Sequence, residues 1–173
     1  MDISIVQLLF YFLPALLTGI IAFYFFKLHT ANEEGRRRYL LHKETHKSIL
    51  PIRLQAYERI TLFLERMAPQ KLLLRVPPIS DQTSAYENLL IATIEQEFDH
   101  NISQQIYMSD EGWNIVKAAK NATIQVIRKA AMNEKTTSAD KLREAVLSEY
   151  IDKQTPSANA LAHIKKEIQE LWD

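Results

Sequence analysis

From Ile3 to Phe26 no side chain carries a charge, and nearly every one is apolar or small. Wound as a helix, these 24 residues are long enough to cross a hydrocarbon core of about 30 Å. No second run of this kind follows. Only three glycines occur in 173 residues, and alternating β-branched runs are absent. The patterning is helical almost throughout. The expected fold class is therefore all-α, with one N-terminal transmembrane helix, a long juxtamembrane helix and a small cytoplasmic helical bundle. The expected division is an anchor over residues 1–27, a basic juxtamembrane helical segment over 28–69 with a kink near Pro51, a Pro-containing connector over 70–83, and a helical bundle over 84–173.

A cleavable signal peptide is the rival reading of the N-terminus. Such a peptide has a positive n-region, a short apolar core and a small-residue cleavage site. Here Asp2 precedes the run without any Lys or Arg, the run is too long, and no Ala-x-Ala follows. A retained anchor fits better. Pro14 and Gly19 fall inside it, and membrane helices tolerate both. Phe10, Tyr11 and Phe12 near one end and Phe23 to Phe26 at the other suit the membrane–water interfaces.

Net charge is zero but unevenly spread. Residues 27–75 carry 11 Lys and Arg against 5 Asp and Glu, whereas residues 76–173 carry 10 against 15. Lys27, Arg36, Arg37 and Arg38 follow the apolar run closely. The positive-inside rule then places the N-terminus outside and the remainder in the cytoplasm. These four are also the candidate membrane-surface residues, each gaining about 1 kcal/mol near an anionic leaflet. Membrane lipid is thus an expected partner. A nucleic-acid role is not expected, since the distal half has no basic patch or aromatic stacking motif. The lack of cysteine is compatible with a reducing compartment.

Ser48 and Pro51 suggest a helix restart, and Pro69 a stop. Between them, Ile49, Ala56, Ile60, Phe63 and Met67 form one apolar stripe, interrupted by Arg53. Leu50, Leu54, Tyr57 and Leu64 form its neighbour. The combined face is wider than a coiled-coil seam and needs cover from later helices or from a partner. Leu72 to Ile79, with Pro77-Pro78, reads as extended. Ser84 and Glu87 have capping-box spacing. Ser109, Thr136–Ser138 and Thr155 open three further helices. The last of these carries Leu161, Ile164, Ile168 and Leu171 on one side. Candidate partner or self-interaction residues are Ile49, Leu54, Tyr57, Ile60, Phe63, Met67, Leu161, Ile164, Ile168 and Leu171.

Candidate chemistry is sparse. Glu97-Phe98-Asp99-His100 contains one Glu-x-x-His, but carboxylate-bridged di-metal bundles need a second copy and two more glutamates. Glu95, Glu97 and Asp99 read as a solvated acidic face. His42 and His46 share a helical face, yet Lys43 stands where a zincin places its general base. No Cys nucleophile, Gly-rich phosphate loop or Gly-x-Ser-x-Gly elbow occurs. No catalytic, cofactor or metal residues are therefore expected.

The phrases Arg53 to Arg59 (RLQAYER), Phe63 to Pro69 (FLERMAP) and Glu97 to Tyr107 (EFDHNISQQIY), with Trp113 soon after, resemble an uncharacterised family of small single-span membrane proteins from Bacteroidota, a domain of unknown function. The resemblance spans nearly the whole chain. It implies an envelope protein of a Gram-negative cell at the inner membrane, and it carries no activity or site residues. Gln55, Tyr57 and Arg59 are expected to bond to the polar link Asn101–Tyr107 and so dock the long helix.

The expected function is a membrane-anchored helical adaptor or scaffold, binding a protein partner or itself, without catalysis. Alternatives are an accessory subunit of an envelope or transport complex held through its transmembrane helix, and a metal-binding bundle using Glu97 and His100.

Overall fold

The computed structural model describes the backbone of residues 5–151 and 153–170, and their side chains except at 5–11, 31, 32, 34, 42 and 45–47. The described residues form six α-helices and one 3-10 helix: α1 (Ile5–Met67), α2 (Pro69–Arg75), α3 (Thr83–Asp99), the 3-10 helix (Ile102–Tyr107), α4 (Asp110–Ala131), α5 (Ala139–Ser148) and α6 (Pro156–Gln169). No strand occurs among them. The chain divides into two compact units, Met1–Ile49 and Leu50–Asp173.

The first unit is helical wherever it is described. The side chains of residues 12–30 are all exposed. The stretch Phe12–Leu41 is long and apolar enough to cross a membrane, a test that a signal sequence also passes. Its two threonine hydroxyls bond back to the helix backbone. Thr18 Oγ1 donates to Pro14 O at 2.5 Å and Thr30 Oγ1 to Phe26 O at 2.6 Å. Such back-bonding to a carbonyl one turn earlier hides a polar group from apolar surroundings.

In the second unit the wide apolar face of α1 is buried by the chain's own helices. Tyr57, Ile60, Phe63, Leu64 and Met67 join Leu90 and Ile94 of α3, Val116 and Ile127 of α4, Leu142 and Val146 of α5 and Ile164 of α6 in one core. Phe63 meets Phe98 at a ring-centroid distance of 5.8 Å, and Phe98 stacks on Trp113 at 5.2 Å.

Several local expectations are corrected. Helix α1 runs through Pro51 without a break. Proline there removes one backbone donor, a loss that burial of the following turns outweighs. The segment expected to be extended from Leu72 is helical to Arg75. Pro69 is its first residue, and a helical turn lets the adjacent Leu72 and Leu73 both reach the core. The Ser84–Glu87 capping box does not form. Helix α3 starts two residues earlier, with Gln82 rather than Ser84 at the N-cap position and no side-chain cap. Tertiary bonds anchor that end instead: Thr83 Oγ1 donates to Thr136 O at 3.2 Å, and Ala139 N donates to Asp81 O at 3.0 Å.

The other caps form as their residue types dictate. Ser109 Oγ accepts from Gly112 N at 2.9 Å, Ser138 Oγ from Lys141 N at 3.2 Å, and Thr155 Oγ1 from Ala158 N at 3.1 Å.

Candidate functional site

The most elaborate polar arrangement in the second unit is a junction of four elements around Glu167. The stripe on α6 that buries Ile164 also turns Glu167 toward the N-terminus of α4. There Ser109 N donates to Glu167 Oε1 at 3.1 Å. Tyr57 of α1 donates its hydroxyl to the same oxygen at 2.7 Å. Arg53, one turn before Tyr57, donates through Nη2 to the Tyr57 hydroxyl at 3.3 Å and through Nε to Tyr107 O at 3.1 Å. A carboxylate at this point satisfies a free backbone donor and meets the positive end of the α4 dipole. Glu167 thus acts as a cap supplied by another helix, alongside the local cap Ser109.

The electrostatics follow from this geometry. Burial by itself raises the Glu167 carboxyl, but hydrogen bonds from Tyr57 and Ser109 outweigh it and hold the group below its ordinary range. Burial, reinforced by the carboxylate beside it, pushes the Tyr57 hydroxyl up to about 12, against the opposing pull of Arg53. The phenol therefore remains a donor and the carboxylate an acceptor.

Gly112 completes the junction. A Cβ at this position would run into Oε2 of Glu167, which is buried and has no hydrogen-bond partner. Gly112→Ala is therefore expected to push the Glu167 carboxylate off Tyr57 and Ser109 and destabilise the second unit by about 1 kcal/mol, the lost bonds outweighing the helix propensity that Ala gains over Gly. A lowered denaturant midpoint at unchanged slope checks this.

A second polar cluster ties α1 and α2 to α3. Glu97 Oε1 accepts from Arg66 at 2.9 Å and from Arg75 at 3.0 Å, and the Glu97 side chain is only 18% exposed. Beside it, Lys120 Nζ lies 2.6 Å from Glu95 Oε2 and 4.6 Å from the centre of the Phe98 ring. Of the expected solvated acidic face, Glu95 and Glu97 are thus paired across helices, whereas Asp99 is exposed as expected.

A model of one protein family matches residues 3–171, nearly the whole chain. The chain belongs to DUF7935, a family of unknown function. No curated protein and no solved structure matches it.

In this DUF7935 chain the residues expected to meet a partner divide into several groups. Tyr57, Ile60, Phe63, Met67 and Ile164 are each at most 1% exposed and belong to the core. The cover that the wide α1 face required comes from within the chain, so these five are corrected from surface to interior. Leu161 and Ile168 are half-buried and pack on that core. Leu54 is half-buried, whereas Ile49 is 44% exposed. Leu171 lies outside the described residues. Lys27, Arg36, Arg37 and Arg38 are exposed on α1, where Arg36 lies 3.9 Å from Glu33.

Docking of the long helix on the polar link also differs from expectation. Arg53 makes the bond to the link, while Gln55 and Arg59 are exposed. Among the described residues no three His, Asp or Glu side chains converge as metal ligands. Glu97 is committed to two arginines and His100 is exposed. The side chains of His42 and His46 lie outside those described.

Arg53, Gly112 and Glu167 escaped the sequence reading as partners in one site. Arg53 left a signal, being the charge that interrupts an apolar stripe. Gly112 left another, as a glycine inside the first turn of a helix that already has a serine cap. Glu167 follows Lys165 and Lys166 and looks like part of a solvated face.

Proposed function

We propose that this chain is a membrane-anchored helical adaptor or scaffold. It would bind a protein partner or itself at the cytoplasmic face of the inner membrane of a Gram-negative, Bacteroidota-type cell, without catalysis. The observation that supports this most is the exposed apolar helix from Phe12 to Phe26, followed by exposed Lys27 and Arg36 to Arg38 on the same helix. An apolar surface of that length calls for lipid or protein cover, and the basic residues orient it by the positive-inside rule.

Burial of the α1 stripe moves the candidate contact to what remains exposed. Among the exposed apolar side chains of the second unit, Ile52 and Leu62 stand on α1, and Leu62, 56% exposed, lines an open groove with Leu54, Thr61 and Ile168. Purification of tagged full-length protein from its native membrane in mild detergent, with mass by light scattering, tests the reading. A stoichiometric partner or a defined homo-oligomer is expected. Leu62→Glu should reduce that assembly at least tenfold and leave the melting temperature unchanged. A monomer without partner, or full assembly by the variant, contradicts the reading.

One observation favours an accessory subunit held through its span. Thr18 and Gly19 are adjacent small residues on the exposed span, and small residues let another helix approach closely. Exchanging residues 3–26 for an unrelated apolar span would then abolish recovery of the complex.

A further inference from the structure

In the second unit α6 runs antiparallel to α1. Its Glu167 meets Tyr57, and its Leu161 shares a cleft with Leu64 and Ala68 further along α1. Beside this seam lies the open groove floored by Leu54, Leu62 and Ile168. The two edges of the groove carry opposite charge. On α1 its lining includes Glu58 and Glu65 and no basic residue. On α6, Lys165 stands one turn from both Leu161 and Ile168, hence on the edge that these two turn toward α1. Glu65 is paired with Lys71. Glu58 and Lys165 are exposed, and neither has an ion-pair partner among the described residues.

A surface with an acidic edge, an apolar floor and a basic edge is complementary to a copy of itself. A two-fold axis laid along the groove brings α1 of one chain over α6 of the other. Glu58 then meets Lys165 on both sides, and the two apolar floors meet between them. A two-fold laid across the helices would instead set α1 on α1 and oppose Glu58 to Glu65, a juxtaposition of like charges that is disfavoured. We propose that a second copy of this chain covers the groove, as a symmetric dimer with α1 of each protomer against α6 of its partner. This inference rests on the adaptor reading and commits it to self-association.

The chain has no cysteine, so introduced cysteines report the contact directly. Full-length Glu58→Cys and Lys165→Cys proteins, purified separately in mild detergent, are mixed and oxidised. The mixture should give several-fold more disulfide-linked dimer than either variant alone, and several-fold more than Glu58→Cys mixed with Asn88→Cys, an exposed position on α3. By light scattering, Glu58→Lys and Lys165→Glu should each weaken the dimer about tenfold at low ionic strength. The double variant, which exchanges the two charges, should restore it. Both side chains are exposed, so the melting temperature of the monomer should not move. Cross-linking no better than the Asn88 control overturns the proposal, and so does a dimer indifferent to both charge reversals. A monomer recovered with a stoichiometric partner of another sequence overturns it while leaving the adaptor reading intact. A monomer without any partner overturns both.

Discussion

Replacing Ile60 by Asp is expected to abolish the folded state of residues 50–173. Ile60 is fully buried and belongs to the one core those residues share. Truncation to Ala would cost about 2–5 kcal/mol by lost transfer energy and a residual cavity. A carboxylate there adds a charge without a partner in an apolar interior, which costs several kcal/mol more. A domain of this size has only about 5–15 kcal/mol to lose. Phe63→Asp should behave alike, since Phe63 is 1% exposed and touches the Phe98 ring. Circular dichroism melts of the full chain in detergent check both. Loss of the cooperative transition is the expected outcome. A normal melt with lost assembly would instead place these side chains on the surface.

Removing the Glu167 carboxylate has the next largest effect. Glu167→Ala leaves the Tyr57 hydroxyl and Ser109 N without their shared acceptor. At about 1–3 kcal/mol for each donor so orphaned, and less where water enters this half-exposed site, the loss should be about 2–4 kcal/mol. The pH dependence distinguishes charge from mere packing. The folded carboxyl titrates below its ordinary value of 4.5. Its contribution is therefore fully present above that value and fades as pH falls through the lower, folded one. The melting-temperature gap between wild type and Glu167→Gln should be widest near pH 7 and narrow as pH falls below 4.5. A gap that stays constant over this range would show that ionisation of Glu167 adds nothing to stability.

The helical character of this chain was legible because it rests on local rules. Ser109, Ser138 and Thr155 have the side-chain acceptors that a helix start needs, and each makes its bond. The apolar width of residues 49–67 showed that something must cover them. The identity of that cover was not legible, because it depends on which later helix returns to α1, and spacing within one helix says nothing of that. The capping box at Ser84 fails for the same reason: Asp81 and Thr83 are held by Ala139 and Thr136, more than 50 residues away. Around Glu167, each residue has a common local reading. Only their convergence from four elements makes the junction, and convergence has no one-dimensional signature.

The bond between Tyr57 and Glu167 joins residues 110 positions apart. A ribosome adding about 5–20 residues per second needs on the order of 10 s to cover that distance. During this interval the apolar stripe of α1 already exists, and the α6 surface that closes over it does not. The side of α1 that faces α6, among the earliest-made parts of the core, is thus among the last to be sealed. For those seconds the nascent chain presents Leu54, Tyr57 and Leu64 as a sticky ridge, exposed to holdases, neighbouring chains and any other apolar surface within reach.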